Sequence, residues 1–401
     1  MIQPQDLIAE IVGFRRELHK IPETGLHLPK TQAAILDRLQ KLPGLEITLG
    51  DRQSSITVVL RGQAPLPPRQ RRQVILLRGD MDALPVTEEL ELDFISEHEG
   101  IMHACGHDMH IAGLYGALRI LHSRRTELRS DVVFMFQPAE EAYHGARYMV
   151  EDGVLEAAGP KVDAAFGLHV FSAGMEHGVF YAKPGTLMAG CEEYFVTVRG
   201  AGGHGSAPHL AKDPVPVACE MVLAVQTLIT RGFNVFDPLV ATVGRISAGS
   251  AGNIIPDTAS FDLSLRIFSP DNRDKLLHDV RRLFEGIAHA HGMEVDLQLA
   301  PDYPVTVNDA HEFDYARQVV MDMFGEESFE LMRDPLAGSE DFSHVLREVP
   351  GTYLCLGAAA PGKDVMNEAM NHSPRAFFDD SVLERAATVL AELALRKDFH
   401  D

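Results

Sequence analysis

No uninterrupted run of about 18 apolar residues occurs in the 401-residue chain, so no transmembrane helix is expected. The opening Met1-Ile2-Gln3-Pro4-Gln5-Asp6 lacks a basic start leading into an apolar core, so no cleaved leader is expected either. Cysteine is scarce. Cys105, Cys191, Cys219 and Cys355 form no C-x-x-C pair and no dense framework, which predicts a reducing, cytoplasmic setting. Positive charge is in deficit: 36 Lys and Arg face 58 Asp and Glu, a net charge of −22. A surface this acidic repels phosphate backbones and anionic lipid, so neither nucleic acid nor membrane is expected as a partner. Internal repeats and low-complexity tracts are absent, and 45% hydrophobic with 23% charged residues excludes a disordered or collagen-like chain. Histidine, by contrast, is plentiful, at 19 residues.

The apolar pattern divides the chain. Leu7, Ile8, Ile11, Val12, Phe14 and Leu18 fall near a 3.6-residue period, and Gln32 to Leu42 continues in that style after Pro22 and Pro29. Ile56–Leu60 reads as a strand. Three short, nearly continuous apolar runs follow: Val74–Leu77, Val132–Phe136 and Ala164–Leu168. Such runs suit strands buried on both faces, as in a parallel sheet between helices. The amphipathic stretch Ile111–Leu121 lies between the first two, a βαβ order that predicts an α/β domain with a mixed, largely parallel sheet. A fourth run, Tyr353–Leu356, lies far downstream. The middle alternates instead, at Tyr194–Val198, Val240–Val243 and Ser260–Arg266, with helical patterns at Val217–Ile229 and Arg273–His289. This predicts a smaller α+β domain at 186–298 inserted into a larger one made of 1–185 and 299–401.

Chemistry-bearing residues collect where the apolar runs end. Arg78-Gly79-Asp80-Met81-Asp82 follows the first run, Gln137-Pro138-Ala139-Glu140-Glu141 the second and His169 the third; His103-Ala104-Cys105-Gly106-His107-Asp108 precedes the amphipathic helix. Ligands of open α/β sheets bind at the carboxyl ends of strands. Cys105 and His107, two apart, would point to one side of an extended or turn segment, a metal-ligand spacing whose thiolate and imidazole suit zinc. A buried Cys beside a surface His, or a Cys/His nucleophilic dyad, is the competing reading. Adjacent Glu140 and Glu141 would diverge, one holding a metal while the other takes a proton from a water acidified to roughly pKa 7. A solvated acidic pair is the plain alternative.

Other motifs fail. Gly200–Gly205 matches G-x-G-x-x-G, but Pro208, Pro214 and Pro216 follow where a dinucleotide fold needs a helix. The chain has no G-K-[ST] phosphate loop, no G-x-S-x-G elbow and no P-C-x-x-C; His98-Glu99 meets His103 one residue too late for H-E-x-x-H.

Taken in order, the motifs resemble one family nearly end to end. They are Phe14–His19, Arg78–Pro85, Met102–Asp108, Gln137–Glu141, Gly167–His169, Gly202–His204, Asn253–Asp257, Gly338–Phe342 and Asn371–Pro374. The resemblance is to the dinuclear metallopeptidases and amidohydrolases, in the branch of hippurate hydrolases and aminoacylases. It implies a catalytic α/β domain and an inserted lid domain that makes a homodimer or higher homo-oligomer. It also implies two divalent cations per subunit, zinc first, with manganese, cobalt or nickel as alternatives. By resemblance Cys105 bridges them, Glu141 and His372 complete one, and His107 and His169 the other. Glu140 is then the general base and acid, and Asp82 the carboxylate that orients a ligand imidazole. His204 stabilises the oxyanion in the partner's site. Asn253 and Arg266 anchor a substrate carboxylate, although Arg266 could equally make a structural ion pair. His372 alone reads as a surface-loop residue and His204 as a loop residue in a Gly-rich turn. Asp80 stands where many related peptidases have His, as expected for the branch that uses Cys105 and His107. Ala201 stands where many members carry Lys. Glu340 and Asp341 are assigned no role beyond shaping the pocket.

The expected activity is metal-dependent hydrolysis of an N-acyl amino acid. A dipeptidase or carboxypeptidase using the same site, and a catalytically silent relative, are the competing readings.

Overall fold

The computed structural model describes residues 4–141, 144–301 and 303–397. They form two compact units. The first comprises the described residues up to Leu187, then Val307–Asp334, then those from Asp341 onward; the second comprises Met188–Thr306 and Pro335–Glu340. The second unit therefore runs past residue 298 and takes in a short distant segment. Backbone pairing accounts for both: Cys191 and Tyr303 exchange N–H···O bonds of 2.9 and 3.1 Å, and Ala189 N–H donates to Leu336 O at 3.0 Å.

The first unit is built on β1 (Leu45–Leu49), β2 (Ile56–Leu60), β3 (Val74–Asp80), β4 (Asp131–Gln137) and β5 (Ala164–Phe171). Its eight-stranded sheet runs β1-β2-β4-β3-β5 and continues through Gly351–Gly357, Phe180–Ala182 and Phe329–Leu331. β3 pairs parallel with β4 and β5, and β5 parallel with Gly351–Gly357. β1–β2 and β2–β4 are antiparallel. This is the mixed, largely parallel sheet that the pattern predicts. Every residue of β3 and β4 is buried, which is why these strands read as continuous apolar runs.

Helices α1 (Pro4–Lys20), α2 (Pro29–Leu39), α3 (His107–Ser123) and α4 (Gly145–Glu151) belong to this unit. α3 supplies the βα crossover between parallel β3 and β4. It is buried from His107 through Leu118, as a helix enclosed on all sides must be. Small residues Gly113 and Gly116 let the helix Leu383–Arg396 approach through Ala386 and Ala387. Phe14, Leu77, Leu114, Phe134, Phe166 and Leu354 join one core. That burial fixes the carboxyl ends of β3, β4 and β5 beside the first turn of α3.

The second unit has a four-stranded antiparallel sheet in the order Leu239–Ala248, Thr258–Ile267, Gly190–Arg199, Glu294–Leu299. Helices Pro214–Gly232 and Pro270–Ala290 pack on it. Pro214–Gly232 has the length and composition of a membrane span, but its Val217, Ala218, Met221 and Val225 are buried within this unit.

Candidate metal centre

The turn before α3 is where local sequence becomes geometry. Cys105 lies in that turn, Gly106 is the N-cap with φ 84°, and His107 is the first residue of the helix. The segment is not extended, and the Cys105–His107 relation is set by the left-handed residue between them. Only glycine meets both demands at this position. Its φ is strained for any side chain, and a Cβ there would sit 2.6 Å from Val170 Cγ2 and 2.9 Å from the Phe378 ring.

Glu140 and Glu141 follow β4 through Ala139, whose backbone is also left-handed at φ 63°. The buried Asp82 carboxylate accepts Glu140 N–H on one oxygen and Glu141 N–H on the other, each at 2.9 Å. Its first oxygen also lies 3.5 Å from His107 Nδ1. Asp82 therefore holds the backbone of the glutamate pair as well as facing an imidazole. The two carboxylates do not diverge as expected: one oxygen of each lies within 4.8 Å of the other and of a His107 nitrogen.

His169, near the end of β5, directs Nε2 to Cys105 Sγ at 3.4 Å while Nδ1 meets Val170 O at 2.8 Å. A carbonyl only accepts, so the proton is on Nδ1 and the Nε2 lone pair faces the sulfur. His372 stands in an irregular segment with φ 70°, half exposed, its Nε2 3.1 Å from Glu141 Oε1.

Two donor triads result. Cys105, His107 and His169 offer atoms within 4.8 Å of one another, and so do Cys105, Glu141 and His372. Cys105 belongs to both. Neither ring nitrogen of the fully buried His107 reaches a hydrogen-bond partner in normal geometry. A buried imidazole left so is costly unless something else takes its lone pair. Thiolate, three imidazoles and a carboxylate are a donor set for zinc and its late-row neighbours. The residues present fit a cation pair.

Titration points the same way. Burial opposes the charging of His107, yet Asp80 and Cys105 outweigh it and hold its pKa well above the ordinary imidazole value. His372 is raised to about 10, first by its hydrogen bond with Cys105 and then by that with Glu141. Burial pushes Glu141 up, but His372 and His107 bring it below its usual value. Burial and then His110 lower His169, leaving it neutral, as a ligand must be. Protons on His107 and His372 thus put positive charge among these donors, a role that cations would take over.

Several residues to which the sequence assigned no catalytic or metal-binding role hold this arrangement. His110, one helical turn after His107 and stacked on it at 5.3 Å, lies 2.5 Å from Asp80 through Nδ1 and accepts Val170 N–H on Nε2 at 2.9 Å. The Val170 bond leaves the proton on Nδ1, directed at Asp80. The i, i+3 spacing after His107 was the available signal. Fully buried Arg78 donates to Asp80, Gln137, Tyr353 and Asp341 at 2.6 to 3.1 Å. Asp341 also accepts Gln137 Nε2 and the Ala146 N–H of α4. It is a fully buried anion that ties β3 and β4 to α4, and this is how it shapes the site.

His204, Asn253 and Arg266 lie in the second unit. His204 pairs with Ile254 in a two-stranded ladder, which sets it next to Asn253 in register. Its Nδ1 accepts Ser206 N–H at 3.2 Å, so the exposed ring carries its proton on Nε2. Arg266, on the strand Thr258–Ile267, donates Nη1 to Ser339 Oγ at 3.1 Å. Among the described residues Arg266 makes no ion pair with a carboxylate.

A model of peptidase family M20/M25/M40 matches residues 76–396. The chain belongs to this family. It is 36% identical over 351 residues to an N-acetyldiaminopimelate deacetylase of Listeria monocytogenes, covering 88% of this chain and 91% of the relative. It is 34% identical over 391 residues to a hippurate hydrolase of Campylobacter jejuni, covering 98% and 97%. Its structure resembles that of a Bacillus subtilis dinuclear metal-binding M20 peptidase, with TM-score 0.80, 28% identity and 98% of each chain covered. The resemblance carried by the motifs therefore holds, and the M20 chain is an amidohydrolase.

Proposed function

We propose that this M20 enzyme hydrolyses the amide bond of N-acyl amino acids at a centre of two divalent cations. Cys105 would be shared, with His107 and His169 on one cation and Glu141 and His372 on the other. The observation that carries this reading is the membership of Cys105 in both donor triads. Zinc suits the thiolate and imidazoles best, with manganese, cobalt and nickel as alternatives that cells select by availability.

When bound, such a pair supplies Lewis acidity that lowers the pKa of a coordinated water to about 7. Glu140, in the loop held by Asp82, takes the proton of the attacking water and returns it to the leaving nitrogen. Asp82 keeps that carboxylate in register through the Glu140 and Glu141 amides. His204 carries the Nε2–H that an oxyanion requires, and serves the partner subunit's centre in a dimer formed through the second unit. Arg266 and Asn253 bind the substrate carboxylate. Arg266 spends one donor on Ser339 and has further guanidinium donors in its planar fork for such a partner. A cytoplasmic location accords with four cysteines that form no disulfide, Cys105 being required as a thiolate.

Glu140→Gln tests the mechanism. Gln keeps the shape but cannot carry the proton, so turnover should fall by about 10²–10⁴-fold with cation content unchanged. An active variant would remove Glu140 from the reaction. Rates on N-acetyl and N-benzoyl amino acids against dipeptides and longer peptides separate the proposed activity from that of a dipeptidase or carboxypeptidase.

A further inference from the structure

Asn371 precedes His372 in the chain and uses both ends of its amide. Ser172 N–H reaches Oδ1 at 2.9 Å, with Ser172 Oγ at 3.0 Å, while Nδ2 reaches Val170 O at 3.0 Å and Cys105 O at 3.2 Å. The orientation of the amide is forced. A peptide N–H can only donate, so oxygen faces Ser172, and two carbonyls can only accept, so nitrogen faces Val170 and Cys105. Val170 O is the carbonyl that also receives His169 Nδ1–H. Its two acceptor positions are thus shared between Asn371 and the imidazole whose tautomer it sets. Nδ2 also lies 3.8 Å from Cys105 Sγ. The neighbouring His372 N–H donates to Ala104 O at 2.8 Å.

We propose that Asn371 is a positioning residue of the metal centre: its two N–H bonds lock the Cys105 turn, the His169 strand end and the His372 segment into one spacing. Three of the five donors, far apart in sequence, depend on one side chain for their mutual distances. The assignment rests on the dinuclear reading above and goes beyond it by naming what sets the separation of the two triads. Ser172 provides the internal contrast. Its hydroxyl donates to Ala369 O at 2.8 Å and holds the same segment without touching a donor residue.

The test compares Asn371→Asp, Asn371→Ala and Ser172→Ala by titrating the metal-stripped proteins with Co²⁺. Asp keeps the oxygen that faces Ser172 but turns the donating end into an acceptor aimed at two carbonyls. Affinity for Co²⁺ should fall about 10–100-fold in both Asn371 variants, the usual scale for losing a partner that orients metal ligands. The thiolate-to-cobalt charge-transfer and d–d bands should shift in position, not merely in intensity. Ser172→Ala should keep the wild-type spectrum and an affinity within about 3-fold, because it loosens the segment but leaves the donor bonds in place. If Asn371→Asp fails to fold by its urea midpoint, Asn371→Ala carries the same expectation. Wild-type spectra and affinity in a folded Asn371 variant, or an equal loss in Ser172→Ala, would overturn the assignment. If the wild-type protein itself takes up no Co²⁺, the metal reading has failed and this assignment falls with it.

Discussion

Gly106→Ala probes the turn on which the centre depends. Two costs add. A side chain at φ 84° pays roughly 1–2 kcal/mol for left-handed backbone. The new methyl would also lie 2.6 Å from Val170 Cγ2 and 2.9 Å from Phe378, both in the packed core, and overpacking of this kind costs about 1–3 kcal/mol. Together they predict destabilisation of about 2–5 kcal/mol. Gly153→Ala isolates the first term, since Gly153 has φ 86° and no atom lies within 4 Å of where its Cβ would sit. The assay is urea unfolding of both variants in excess chelator, so that cation binding adds no stability. Gly106→Ala should lose more than Gly153→Ala by about 1–3 kcal/mol. Equal losses would mean that the turn has room to move, and the argument that packing sets the Cys105–His107 geometry would be wrong.

Asp82→Asn leaves one of the Glu140 and Glu141 amides facing an NH₂ group, so kcat should fall about 10–100-fold at saturating metal; unchanged kcat would mean that the loop holds itself. His372, raised to about 10, keeps its proton throughout the neutral range and must release it to bind a cation. Apparent Zn²⁺ affinity of the stripped protein should therefore rise with pH from about 6 to 9, with proton release on binding. A flat affinity with no proton release would contradict the ligand role of His372.

The sequence exposed the sheet because burial is written into composition. Strands covered on both faces, such as Val74–Asp80 and Asp131–Gln137, have no polar alternation to obscure them. It drew attention to Cys105, Glu140, Glu141 and His169 as candidates because chemistry-bearing residues at strand ends are conspicuous. Three features are invisible to local pattern for physical reasons, His372 being reached in the sequence only through the motif resemblance. His372 sits in an irregular segment far along the chain, and only folding brings it to Glu141. Asn371 acts through hydrogen bonds to segments more than 190 residues away, which no local period records. The attachment of Pro335–Glu340 to the second unit depends on main-chain bonds such as Ala189 N to Leu336 O, available to almost any sequence.

Elemental analysis of three proteins purified side by side bears most directly on the proposed sharing of Cys105 by two cations. The wild-type chain should carry two divalent cations. His169→Ala should retain one, because it touches a single triad, whereas Cys105→Ala should retain none, because both triads lose a donor. Two cations per chain in Cys105→Ala would show that the sulfur joins nothing, and the account of the site built around it would be false.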